Sequence, residues 1–284
     1  MKRYVSLGAG VQSTTLVLMA AHGEFDDMPD AAIFSDTGDE SQAVYRHLAW
    51  LRSPNVLPFP VYVINAGRRL SDDIRAAAEH SDQRFVSVPF FSKTVVAVNG
   101  AAGTKIGEFA EKGQGRRQCT REFKLDPISK TIRQLMGYKP RQRIPHGLVE
   151  SWIGISTDEI IRMKPSREKW ITNRHPLIEK DMSRRDCLRW LASNDYPTPP
   201  KSACVFCPYR SNAGWRQLRD HEPEAFEEAV RIDRLIRTNG TMKGMVSPQY
   251  VHPSLVPLDE ADLESSDERQ ADMFGNECEG ICGV

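Results

Sequence analysis

Long apolar runs are missing from this chain. None approaches the roughly 20 residues needed to cross a bilayer, so a membrane-spanning protein is not expected. A secretory leader is not expected either. Lys2 and Arg3 precede apolar residues, but Gly8, Gly10, Gln12, Ser13, Thr14 and Thr15 interrupt what should be a continuous apolar stretch of roughly 7–15 residues. With neither feature, the cytoplasm is the expected compartment. Internal repeats and dedicated RNA-binding motifs are also absent. Cysteine is scarce, six in 284 residues. In a cytosolic chain of this size that argues against a disulfide framework and for metal binding or thiol chemistry. Two nucleotide signatures fail as well: no Gly-Lys-Ser/Thr follows the first glycines, and the third glycine of a dinucleotide fingerprint is missing.

What is present reads as an ordinary globular protein, 40% apolar and 27% charged. Its length allows one large domain, or one domain with appendages. The most informative stretch is Tyr4-Val5-Ser6-Leu7-Gly8-Ala9-Gly10-Val11-Gln12-Ser13-Thr14-Thr15, followed by the apolar-rich Leu16 to Ala21. A β-branched and aromatic run, a glycine pair and then hydroxyl residues predict strand, tight loop, helix. Glycines permit a positive-φ turn and close backbone approach. The N–H groups and dipole at the helix start favour an anion, so the loop is expected to hold phosphate. A βα turn without a ligand is the alternative.

Ala31 to Ser35 reads as a second strand ending in Asp36-Thr37-Gly38-Asp39-Glu40. A helix follows, with Val44, Leu48 and Leu51 at spacings of four and three. Pro60 to Asn65 is a third strand and Leu70 to Ala78 a third helix. Such alternation implies a parallel sheet, on which ligands bind at the carboxyl ends of the strands. Gly100 to Gly115 reads as a mobile loop, Pro127 to Met136 as a helix, and Ser151 to Ile155 as a strand. Ser183-Arg184-Arg185-Asp186 matches a capping box opening a helix through Leu191, and Phe226 to Ile236 is helical. The last 25 or so residues read as weakly ordered.

Charge is balanced overall, 38 Lys and Arg against 38 Asp and Glu, but unevenly placed. Arg116, Arg117, Arg121, Lys124, Lys130, Arg133, Lys139, Arg141 and Arg143 make one stretch basic, and Asp259 to Glu279 is acidic. The basic stretch suits polyphosphate or nucleic acid. Cys204-Val205-Phe206-Cys207-Pro208 is a C-x-x-C-P element. Two thiolates this close fit a metal centre, and proline beside them is frequent at iron–sulfur sites. A redox pair or half a zinc site shares the spacing. Cys119 and Cys187 would complete four-thiolate coordination, for which we place iron–sulfur ahead of zinc.

The first loop resembles the PP-loop of ATP pyrophosphatases and phosphoadenosine phosphosulfate (PAPS) reductases, whose pattern is Ser-Gly-Gly-x-Asp-Ser. Here Gly8 stands for the first serine and Gln12 for the aspartate. Arg116 to Ile128 resembles the Cys…Arg-Lys…Pro segment of PAPS and adenylyl-sulfate reductases, with Thr120 in place of their second cysteine. Asp36-Thr37-Gly38 is similar to the Asp-Thr-Gly after the second strand of that superfamily. Gly154-Ile155-Ser156-Thr157-Asp158-Glu159…Arg162 resembles its Gly-Ile-x-x-x-Glu-x-x-Arg segment. The ending Cys278-Glu279-Gly280-Ile281-Cys282 partly resembles the Glu-Cys-Gly-Leu-His tail of PAPS reductases.

The resemblance implies an adenine nucleotide α-hydrolase-like fold: a twisted parallel sheet flanked by helices, with a helical cysteine-containing C-terminal part. The expected divisions are a nucleotide-binding domain over 1–175, a helical region over 176–258, and a tail over 259–284. It implies nucleotide contacts by Ser6, Gly8, Gly10, Gln12, Ser13, Asp36, Thr37, Gly38, Gly154 and Arg162. Arg121 and Lys124, together with Arg162, would neutralise leaving-group charge. Cys119, Cys187, Cys204 and Cys207, with Cys187 supplying the ligand that Thr120 lacks, would hold a 4Fe-4S cluster, with zinc the second choice. Cys278 and Cys282 are candidate catalytic thiols, and ATP with magnesium the expected substrate.

The expected activity is adenylation of an acceptor followed by sulfur transfer, the acceptor being tRNA, DNA or a smaller molecule. A cysteine desulfurase or thioredoxin-like protein would serve as donor. One alternative is a PAPS or adenylyl-sulfate reductase releasing sulfite through a tail cysteine. The other is a non-catalytic, metal-braced nucleotide-binding module.

Overall fold

In the computed structural model, residues 1–80, 87–99, 105–238 and 247–264 are described. They divide into two compact units interleaved along the chain. The first takes Met1–Gly67 and Thr120–Cys204; the second takes Arg68–Cys119 and residues 205–264. This differs from the contiguous division drawn from sequence, because packing, which ignores chain order, draws the units. Residues 176–204 belong to the first unit, and residues 68–119 to the second.

The first unit is built on strands β1 (Lys2–Leu7), β2 (Ala31–Asp36) and β3 (Val61–Asn65), with helices α1 (Val11–Ala21) and α2 (Gln42–Leu51) between them. In the second unit lie α3 (Leu70–Glu79), β4 (Phe91–Asn99) and β5 (Lys105–Gln114). A short α4 (Gln118–Thr120) continues through a π-helical turn, Arg121–Leu125, into α5 (Asp126–Leu135) of the first unit. Strand β6 (Val149–Ile153), a 3₁₀ turn at Thr157–Arg162, β7 (Ile171–Arg174), α6 (Pro176–Glu179) and α7 (Arg184–Ser193) complete that unit. Helices α8 (Asn212–His221) and α9 (Pro223–Thr238) and strand β8 (Gln249–Tyr250) belong to the second.

The five strands of the first unit form one all-parallel sheet in the order β3-β2-β1-β6-β7. Alternation decides what each face buries, because successive side chains point to opposite sides. Val5, Leu7, Ala32, Phe34 and Trp152 meet Leu16 and Ala20 of α1, Val44 and Leu48 of α2, and Cys187 and Leu191 of α7. Tyr4, Ile33 and Val149, on the other face, meet Ile128 and Ile132 of α5. Val11 to Ala20 are all buried, as an apolar helix enclosed by other elements should be. Helix α7 starts with the expected capping box: Ser183 accepts from Asp186 N–H at 3.2 Å, and Asp186 accepts from Ser183 N–H at 2.9 Å.

The second unit carries a three-stranded antiparallel sheet, β5-β4-β8. This corrects the reading of Gly100 to Gly115 as a mobile loop, since residues 105–114 form a strand paired with β4 from Phe91↔Gln114 onward. Glycine content hid that strand; cross-strand pairing, invisible to a local window, made it. Residues 100–104 and the expected weakly ordered tail from residue 265 lie outside the described residues. Asp233, 0% exposed, holds this unit's chain together by accepting from Val251 N–H (2.8 Å), Leu258 N–H (3.1 Å) and Arg237 Nε (2.9 Å). Among the described residues no helix is long and apolar enough to cross a membrane.

Candidate functional site

Strand order reverses between β1 and β6: the chain winds from β1 outward to β3, then returns to the other side of β1. In parallel sheets that reversal opens a crevice outside the carboxyl ends of the two strands. Gly8 to Ser13 and Gly154 to Arg162 both leave the sheet there. The two segments meet. A methyl group placed on Gly154 would lie 2.8 Å from Ser13 N, 2.9 Å from Ser13 Cα and 3.1 Å from Gln12 C. Glycine at 154 is therefore dictated by a strand end lying against the first turn of a helix.

Within the loop, the left-handed residue is Ala9 at φ 60°, not either glycine. Gly10 is extended and precedes α1 as its N-cap. Gly8 N–H donates to Ser13 Oγ at 3.2 Å, so one amide expected for an oxyanion serves the loop itself. Gln12, in the position of the pattern's aspartate, is 1% exposed. Its Nε2 donates to Ser156 Oγ and Glu159 Oε2, both at 3.4 Å, and its Oε1 accepts from Arg184 at 2.9 Å. Glu159 in turn pairs with Arg162. A neutral amide thus ties the loop to the segment carrying Arg162. Ser6 is buried on β1, and its hydroxyl has no hydrogen-bond partner among the described residues.

At the end of β2, Asp36 Oδ1 accepts from Gly38 N–H at 2.8 Å and from the Tyr45 hydroxyl at 2.9 Å. Gly38, at φ 81°, supplies the positive-φ turn this needs. Burial and then the Asp36 charge push the Tyr45 phenol up from its ordinary value, so it stays a donor. Thr37 Oγ1 lies 3.2 Å from Cys204 Sγ, and Glu40 forms an isolated bridge with Cys204. Lys124 Nζ lies 3.6 Å from Glu40, with both side chains almost wholly buried. Lys124 thus faces a matched charge inside the fold. Arg121 is exposed and pairs with Asp126 at 3.6 Å.

Beside this edge a cavity of ≈ 170 Å³ is lined from α5, β6, β7 and the segment between the last two. Ile128, Ile132, Ile153, Ile155 and Ile171 give it apolar walls, with Ser151, Asn173 and His175 as polar members. Arg121, Arg162, Lys164 and Arg167 also line it. Ile128, Ile132, Ile153, Ile155, Ser151 and His175 are buried, whereas Arg121, Lys164 and Arg167 are exposed and Arg162 is half-buried. Asp126 and Glu168, both exposed, line it too, so the cavity is apolar within and of mixed charge at its rim, with cations in excess.

Of the sequence candidates, Arg121 and Arg162 reach this cavity, while Gly8, Gly10, Gln12 and Ser13 do not line it. Sequence reasoning missed His175, Lys164, Arg167 and Arg184. The placement of His175 just beyond a strand, ahead of the proline that starts α6, was the available signal.

Cys187 is 0% exposed in the core under α7, while Cys119, Cys204 and Cys207 are half-buried. Cys187 and Cys204 belong to the first unit, Cys119 and Cys207 to the second. Among the described residues no three His, Cys, Asp or Glu side chains form a group able to hold a metal ion. Cys278 and Cys282 lie outside the described residues. A search with the chain matched no protein-family model and no curated protein.

Proposed function

We propose that the first unit binds an adenine nucleotide at the carboxyl edge of its sheet and activates an acceptor for sulfur transfer. The observation that carries this reading is the cavity of ≈ 170 Å³ with isoleucine walls and a rim where Arg121, Arg162, Lys164 and Arg167 outnumber Asp126 and Glu168. Apolar walls suit the faces of a base, and the guanidinium groups suit phosphate oxygens bidentately. With ATP, an acceptor oxygen would attack the α-phosphorus and the α–β bond would break. Pyrophosphate would then leave against the rim cations, whose charge stabilises it as it departs. Hydrosulfide would next attack the acceptor atom, the bond from that atom to the AMP-bearing oxygen would break, and sulfur would stay on the acceptor; with a persulfide donor, a further thiol would then cleave the sulfur–sulfur bond and leave as a disulfide with the donor. Gln12, through Glu159, would keep Arg162 in register with the loop.

The sulfur step rests on the order of sequence motifs, and so do the adenine nucleotide α-hydrolase-like assignment and the helical cysteine-containing C-terminal part. A cluster on Cys119, Cys187, Cys204 and Cys207 belongs to the same reading. Its support is donor chemistry, four thiolates suiting an iron–sulfur centre or zinc. No step is routed through it.

Feeding ATP, then PAPS, to the reduced protein tests the proposal. Acceptor-dependent pyrophosphate release, lowered by Arg162→Met, is expected. Sulfite from PAPS would replace this reading with a reductase, and no turnover of either would leave a nucleotide-binding module. Iron and sulfide analysis of anaerobically purified protein tests the cluster; zinc without iron removes it.

A further inference from the structure

The cavity takes up only part of the positive charge carried by the first unit around α5 and β7. Residues 127–149 contain no Asp or Glu, and residues 160–178 contain only Glu168. Lys130, Arg133, Lys139, Arg141, Arg143 and Lys169 fall in these two stretches and lie outside the cavity lining. All but Arg133 are exposed, and those five make no ion pair with another described residue. The whole chain balances 38 Lys and Arg against 38 Asp and Glu, so this excess is local and not a general basicity.

Packing draws the two stretches into one surface, with Trp170 as the pivot. Its ring lies in a cluster with Ile132, Ile144 and Val149. The Arg133 guanidinium stands over it at 5.8 Å, and its indole N–H donates to Glu168 at 2.7 Å. Arg133 also donates to the carbonyls of Lys139 (3.3 Å) and Gln142 (2.6 Å), while Gln142 Oε1 accepts from Lys139 N–H at 2.9 Å. The turn carrying Lys139, Arg141 and Arg143 is thereby fixed at the end of α5, across Trp170 from the cavity-lining segment 164–168. Lys130 shares the Arg133 face of the helix, three residues away. Of the acids that line the cavity, Asp126 pairs with Arg121 at 3.6 Å and Glu168 is held by Trp170.

Length decides between ligands. The 10 residues of α5 rise about 15 Å, and the phosphates of one duplex strand follow each other about every 3.4 Å along the axis. Cations spread along this helix and past its end therefore match about four consecutive phosphates, in addition to those at the rim that serve a nucleotide.

We infer that this surface binds the phosphate backbone of a nucleic acid, and that the acceptor in the proposed reaction is a nucleotide of that polymer brought to the cavity rim. The first statement stands on charge and packing; the second rests on the function proposed above.

The test is fluorescence anisotropy of the whole chain with short labelled strands: single-stranded RNA, single-stranded DNA of the same sequence, and duplex DNA. Binding should weaken with salt, with a log–log slope of about −0.7 for each phosphate engaged on a single strand. Lys139→Gln/Arg141→Gln/Arg143→Gln should make that slope shallower by about two and weaken binding about tenfold or more, with the thermal midpoint and ATP affinity unchanged. Lys130→Gln/Lys169→Gln, on separate elements, should weaken it as well. Preference among the strands identifies the polymer. No binding of any strand at low salt overturns the inference, as does undiminished binding by both variants. If vesicles of phosphatidylserine in phosphatidylcholine are bound and the strands are not, the surface belongs to an anionic membrane and the inference falls. Strand binding without ATP binding keeps this surface and removes the nucleotide reading; ATP binding without strand binding does the reverse.

Discussion

Burying a carboxylate as fully as Glu40, whose side chain is 0% exposed, against a lysine side chain 6% exposed is costly unless each charge meets the other. Desolvation of each ion costs several kcal/mol, and the mutual attraction returns it only while both partners are present. Glu40 also accepts from Ser202 Oγ at 3.4 Å and lies in the bridge to Cys204, so its position is fixed by the chain around it. Lys124→Met should therefore destabilise the protein by about 3–5 kcal/mol, read as a lowered urea midpoint. Glu40→Gln combined with Lys124→Met should be far milder than the single lysine change. If the two single losses simply add in the double variant, the charges are not coupled and this account is wrong.

Elements are set by where backbones can approach one another. The carboxyl end of β6 reaches the first turn of α1 only because Gly154 has no side chain; the atoms in the way at 2.8–3.1 Å are backbone atoms of Ser13 and Gln12, which cannot rotate aside. Gly154→Ala should cost about 1–3 kcal/mol, the range for overpacking, and a thermal midpoint unchanged from wild type would disprove the close approach. The sequence made Gly154 conspicuous, but through a resemblance and not through this contact. α2 was legible because Val44, Leu48 and Leu51 keep a helical spacing, and β1, α1 and β2 because short apolar runs meet glycine and polar turn residues. Strand β5 was not, since its identity comes from pairing with β4. The same limit applies at the site. The Gln12–Glu159–Arg162 chain and the cavity wall at His175 join residues more than 140 positions apart or on separate elements, and no window along the chain brings them together.

At the scale of the whole molecule, the two units share one response to acid. His47 in the first unit and His252 in the second are each held neutral, with pKa values lowered from 6.5 to about 4. Burial is the cause for His47; for His252 it is burial first, then the Lys112 charge. Hydrogen bonds fix both rings: His47 Nε2 with Thr14 Oγ1 at 2.9 Å, and His252 with Ser254 Oγ at 2.6 Å and Asn212 Oδ1 at 2.9 Å. Between the folded and unfolded values the unfolded chain binds more protons, so stability must rise with pH. Above pH 6.5 both states carry neutral imidazoles and these groups stop contributing. Below it stability is lost progressively, at about 1.4 kcal/mol per pH unit for each fully titrating ring. Lowering the pH from 7 to 5 should therefore reduce the urea midpoint, and His47→Gln and His252→Gln should each flatten part of that slope while lowering stability at pH 7. A midpoint that holds level from pH 7 to 4.5 would mean that neither imidazole is kept neutral by its surroundings.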